Sequence, residues 1–159
     1  MANAITNYAN TQAELTVARD RLNLLLERKE QIYTKFFSLT AKLSDVPSHT
    51  NKKSDPMADY MYEISKPNPL TGISLEEEIE AARNDVGKLT YYIKKMRNTF
   101  KTLTGIENEL FRLIVMDGYG KTKAVNKVAE KYQKEPQTIW KYYYPKIKEE
   151  IYKCIVKVQ

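Results

Sequence analysis

Few side chains in this 159-residue chain could do covalent chemistry. His49 is the only histidine, in the polar run SDVPSHTNKKSD, with no nucleophile or carboxylate motif around it. Cys154 is the only cysteine, which excludes an intrachain disulfide and a Cys/His zinc set. The sequence has no phosphate-binding glycine loop and no nucleophile elbow. Asp55, Asp59 and Glu63 recur every four residues and could touch a divalent cation, but a capped, solvated acidic face accounts for them. Glu76, Glu77, Glu78 and Glu80 crowd the first turn of an expected helix, where negative charge complements the dipole. The expectation is therefore a protein that is not an enzyme and needs no metal or cofactor.

Chemistry of a different kind gathers between Asp117 and Tyr144, DGYGKTKAVNKVAEKYQKEPQTIWKYYY. Val125, Val128, Ala129 and Tyr132 share one helical face, and Ala129 is small enough to let a second helix approach. Ile139 and Tyr142 supply the facing side, and Pro136 suits the first turn of that second helix. This is helix-turn-helix spacing, with Gln133 where glycine is usual. In that geometry the second helix enters the major groove, and Gln137, Thr138, Lys141 and Tyr144 would face base edges. Glutamine can pair bidentately with adenine, and lysine with guanine or phosphate. Lys121, Lys123, Lys127, Lys131, Lys134 and Lys146 would contact phosphates and position the module. The plainer alternative is a packed helical hairpin with a solvated lysine face. Trp140 and the consecutive Tyr142, Tyr143 and Tyr144 suit either reading, with Tyr142 facing the core by spacing.

The charge balance agrees with a polyanionic partner. The chain holds 26 Lys+Arg against 20 Asp+Glu, a net charge of +6. Residues 104–159 alone carry 11 basic and 7 acidic residues. The N-terminus, MANAITNYANTQ, has no apolar signal core, and no apolar run reaches membrane-spanning length. No membrane partner is expected, and the lone cysteine suits a reducing cytoplasm.

The elements that must position this module read as helices throughout, an all-α fold. A T-x-x-E capping box at Thr11 and Glu14 opens a helix to about Leu43. Its seam is Leu15, Ala18, Leu22, Leu25, Ile32, Phe36, Leu39 and Leu43, with Lys29 the one charged member. Leu24, Leu26, Tyr33 and Phe37 widen the stripe, which calls for a third element or another subunit against it. Residues 44–55 read as a loop. Asp55-Pro56 then starts a short helix to about Ser65, with Met57, Met61 and Ile64 as its apolar edge. Ser74 and Glu77 form a second capping box. The seam behind it runs Leu75, Ile79, Ala82, Val86, Leu89, Ile93, Met96, Phe100 and Leu103. Two long helices of similar length suggest an antiparallel, coiled-coil-like hairpin over residues 1–103; pairing between chains, as in a homodimer, is the alternative. Thr104-Gly105 marks the boundary to a second domain over 104–159. There Ile106, Leu110, Leu113 and Ile114 would close the core, and Ile147, Ile151, Cys154 and Ile155 would pack back on the module or pair two subunits. Pro145 is expected to kink or restart the second helix.

With these elements in hand, the segment from Glu107 to Ile151, ENELFRLIVMDGYGKTKAVNKVAEKYQKEPQTIWKYYYPKIKEEI, resembles the helix-turn-helix of sigma factor region 4. More specifically it resembles small phage late-transcription regulators of the RinA/ArpU type. LSDVPSHTNKKSDPMADYMYEI is similar to their middle loop with its Asp-Pro pair, and SLEEEIEAARNDVGKLTYYIKKM to the helix that follows. Gln133 and the lysine-rich first helix of the motif depart from the pattern. The resemblance implies a sequence-specific double-stranded-DNA-binding regulator of phage or prophage transcription, acting in the host cytoplasm at a promoter with host RNA polymerase. Two rivals come from other classes: a small terminase-like packaging protein assembling as a ring, and a protein-binding module that captures a host or repressor protein.

Overall fold

The computed structural model describes residues 7–43 and 55–155, with side chains described for 7–38 and 55–154. His49, Leu39, Leu43 and Ile155 therefore lie outside the described side chains. The described residues are all-α. The helices are α1 (Tyr8–Leu43), α2 (Pro56–Ser65), α3 (Leu75–Thr102), α4 (Gly105–Phe111), α5 (Lys121–Lys131), α6 (Pro136–Thr138) and α7 (Tyr144–Ile155). Wide π-helical turns at Arg112–Met116 and Ile139–Tyr143 extend α4 and join α6 to α7. Extended pairing among the described residues is limited to one antiparallel bridge, Pro67 to Ser74. No described helix is long and apolar enough to cross a membrane.

The chain divides into two compact units, Val17–Val86 and Met1–Thr16 with Gly87–Gln159. In the first, the core is Tyr60, Ile64, Leu75 and Ile79, with Leu22, Leu25, Ile32, Phe36 and Phe37 of α1 packed against it. The Tyr33 and Phe37 rings stack at 4.3 Å and meet Tyr60 edge-on at 5.5 and 6.2 Å, so α2 packs against that part of the wide α1 stripe, while Leu24 and Leu26, expected to be covered with them, are 66% and 36% exposed. The buried face of α2 is accordingly Tyr60 and Ile64. The expected Met57/Met61 edge is corrected: these side chains are 51% and 46% exposed. Aromatic partners on α1 select Tyr60, which leaves the methionines one step around the helix. Lys29, the charged seam member, sits 3.6 Å from Glu76.

Side-chain caps open the first three helices, α1, α2 and α3. Asp55 accepts from the Met57 N–H at 3.0 Å, ahead of Pro56. Ser74 Oγ accepts from the Glu77 N–H at 3.2 Å while Glu77 Oε2 accepts from the Ser74 N–H at 2.8 Å and its hydroxyl at 2.9 Å. Those donors hold the Glu77 carboxyl below the usual carboxylate range, the Ser74 N–H foremost. The expected box at Thr11 and Glu14 is corrected. α1 starts a turn earlier, where Asn7 Oδ1 accepts from the Asn10 N–H at 2.8 Å. Thr11 is already inside the helix, buried, its hydroxyl donating to the Asn7 carbonyl at 3.0 Å.

In the second unit, Met96 of α3 joins Leu110, Phe111, Leu113, Ile114 and Val115 with Val125, Val128, Ile139, Ile147, Ile151 and Cys154 in one core. α7 thus packs back on the module through Ile147, Ile151 and Cys154. Asn108 ties α3 to α4: its Nδ2 donates to the carbonyls of Phe100 at 2.6 Å and Leu103 at 3.0 Å, which α3 itself leaves unpaired. Ser74→Ala is expected to lower stability by about 1 kcal/mol in urea denaturation, because an N-terminal donor of α3 loses its acceptor.

Candidate nucleic-acid interface

α5 presents an alternation that divides it cleanly. Ala124, Val125, Val128 and Ala129 are buried, while Lys121, Lys123, Lys127 and Lys131 are exposed. The small Ala124 and Ala129, at 0% and 3% exposure, let neighbouring helices approach closely. The chain then turns through Tyr132–Glu135. Gln133 takes φ 50°, a left-handed conformation that costs a side-chain-bearing residue of order 1 kcal/mol. Its N–H reaches the Glu130 carbonyl at 3.2 Å, and the Lys134 N–H reaches Ala129 at 2.9 Å. This is the position where the sequence pattern has glycine, and the backbone explains why.

Pro136 opens the next helix, with Ile139 fully buried beneath it. Gln137 and Lys141 are exposed and Thr138 is half-buried, so three of the four expected base readers stand at or near the surface. Tyr144 does not stand with them. Its ring is half-buried against the core and meets Trp140 edge-on at 4.5 Å. The expectation that Tyr142 faces the core is corrected: it is 58% exposed, and Tyr143 and Tyr144 pack inward instead. The reason is the π turn, in which the Tyr144 N–H donates to the Ile139 carbonyl five residues back. One extra residue in the turn advances the inward face from 142 to 143 and 144. Pro145 follows directly. It has no N–H to give, and its ring would meet the Lys141 carbonyl in an unwidened helix.

The lysines expected to contact phosphate fall into two groups. Lys131 Nζ lies 3.1 Å from Glu109, which also receives Arg112 at 2.6 Å. The Glu109 carboxyl is held below the usual range, chiefly by the Arg112 hydrogen bond. Lys146 Nζ lies 3.2 Å from Glu107. Lys121, Lys123, Lys127 and Lys134 make none of the ion pairs seen among the described residues, and all four are exposed. Lys127 instead donates to the Tyr119 hydroxyl at 3.0 Å and covers its ring at 4.2 Å, with Lys123 over the same ring at 5.2 Å. Tyr119 is not among the residues expected at the site. Its signal was a tyrosine in the turn with lysines four and eight residues on, a spacing that brings both back to one side of the following helix.

Among the described residues no three His, Cys, Asp or Glu side chains cluster as a metal site. The arrangement offers hydrogen-bond donors and cations on an exposed helical surface. The chain matches no protein-family model, no curated protein and no solved structure. Gln133→Gly is expected to raise stability by about 1 kcal/mol in urea denaturation by relieving the left-handed backbone. Gln133→Val is expected to lower it.

Proposed function

We propose that the chain is a sequence-specific, double-stranded-DNA-binding regulator of transcription. Its reading unit is the helix-turn-helix made of α5, the Tyr132–Glu135 turn and the helix from Pro136. The observation that carries the reading is the pairing of two exposed features on one buried frame. Gln137 and Lys141 stand exposed on the opening of the second helix, and Lys121, Lys123, Lys127 and Lys134 stand exposed on and just after α5, while Val128, Ala129 and Ile139 lock the pair together. Gln137, Thr138 and Lys141 read base edges. The four lysines without ion pairs contact phosphates, and Lys131 and Lys146 act less directly because Glu109 and Glu107 share their charge.

The long helices α1 and α3 pair as an antiparallel hairpin that carries or spaces the reader. One contact within each unit supports this: Arg97 Nε donates to Tyr8 Oη at 2.6 Å in one, and Lys29 lies 3.6 Å from Glu76 in the other. The setting, a phage or prophage promoter shared with host RNA polymerase, rests on the likeness to the RinA/ArpU-type regulators.

The test is a selection. Purified protein is incubated with sheared genomic DNA from its source at about physiological salt, and retained fragments are sequenced. One or a few enriched sites upstream of a gene cluster are expected. Enrichment confined to a packaging locus, with the protein in rings of many copies, would replace the regulator by a terminase-like protein. Uniform or absent retention would remove site-specific reading altogether. On the selected site, Gln137→Ala is expected to relax preference at a single base pair, costing about 1–3 kcal/mol there, and to leave random-duplex affinity unchanged.

A further inference from the structure

Tyr119 lies in the turn before α5, half-buried against the core through its ring, with its hydroxyl at the surface among cations. Lys127 Nζ–H donates to Tyr119 Oη at 3.0 Å. The hydroxyl oxygen is therefore used as an acceptor, and its own proton points to no acceptor among the hydrogen bonds of the described residues. A phenol that accepts from one ammonium and lies under a second, Lys123 at 5.2 Å from its ring centre, is a polarised donor. What completes such a group is an anionic oxygen placed beside both lysines.

We propose that Tyr119, Lys123 and Lys127 form one clamp for a backbone phosphate of duplex DNA, with the Tyr119 O–H donating to a non-bridging oxygen and the two ammoniums supplying the charge. The clamp rests on the DNA-binding reading and assigns to it a residue outside the helix-turn-helix pattern. Ring packing in the core fixes where the hydroxyl sits, and the hydroxyl in turn holds Lys127, which would otherwise sample many rotamers. Lys127 and Lys123 favour loss of the phenol proton, the Lys127 hydrogen bond most, so the same hydroxyl makes the clamp sensitive to alkali. Asp117 opposes that shift, and Arg112 stands 3.6 Å from Asp117 in turn. A phenolate there would repel phosphate and give up its donor together.

Tyr119→Phe keeps the ring and removes only the hydroxyl. Binding of the full chain to a random-sequence duplex is measured against salt concentration, with thermal unfolding of each variant as the check that the core is intact. Tyr119→Phe is expected to weaken binding about tenfold with the slope of log affinity against log salt unchanged, because a neutral donor releases no counterion. Lys127→Ala is expected to lower that slope by about 1. Between neutral pH and pH 9.5, binding by the parent is expected to fall more steeply than binding by Tyr119→Phe. Equal affinity of parent and Tyr119→Phe, or parallel pH profiles, overturns the clamp and leaves DNA binding standing. Failure of the parent to bind any duplex removes both.

Discussion

An eleven-residue helix such as α5 does not hold itself together in water, and everything exposed on it depends on what its other face buries. That face is Ala124, Val125, Val128 and Ala129, none more than 3% exposed. Two alanines at the approach let Ile139 and the α4 side chains come in against backbone, and the close fit sets the angle at which the lysines leave the surface. The strained turn at Gln133 is tolerated because the alternative is to lose this contact. Local backbone energy of about 1 kcal/mol is outweighed by the burial of several apolar side chains, each contributing about 1.5–3 kcal/mol.

The two π turns solve a related problem of phase. After α4, the wide turn at Arg112–Met116 holds Leu113, Ile114 and Val115, all three buried, a wider apolar face than the stripe of a surface helix. After α6, the second wide turn moves the apolar stripe forward by one residue. Tyr143, Tyr144, Ile147, Ile151 and Cys154 then continue the face that Ile139 begins. Without that step the long apolar stripe of α7 would wind away from the core, since Pro145 prevents ordinary continuation.

Much of this was legible in the residues themselves. The α3 seam was, because every buried residue of that helix recurs at heptad spacing and its start carries a reciprocal Ser74–Glu77 cap. The Asp55-Pro56 start was, because cap and proline act locally. What escaped depended on partners distant in sequence or on a change of helical pitch. Tyr142 and Tyr144 exchanged faces because of an extra residue in one turn. Met57 and Met61 lost their place to Tyr60 because two rings on α1 were waiting for it. Asn7 displaced Thr11 as the start of α1 by capping one turn earlier. Around α6, Gln137 and Lys141 are exposed as their spacing implied. The sequence could not say that Glu109 and Glu107 lie within reach of Lys131 and Lys146. Counting lysines measures charge, but only the fold decides which of them a distant anion would feel.

The burial of Cys154 gives the chain a clock of its own. Its thiol is fully enclosed, 3.3 Å from the Thr99 hydroxyl, and burial pushes it up from the ordinary cysteine range. An enclosed, protonated sulfur does not react, so any thiol reagent must wait for α7 to lift from α3. Because the sequence holds one cysteine, the rate of labelling is the rate or equilibrium of that single opening, free of competing sites. The last helix thus reports its own detachment, and whatever binds and braces the module will be read as a slower tick.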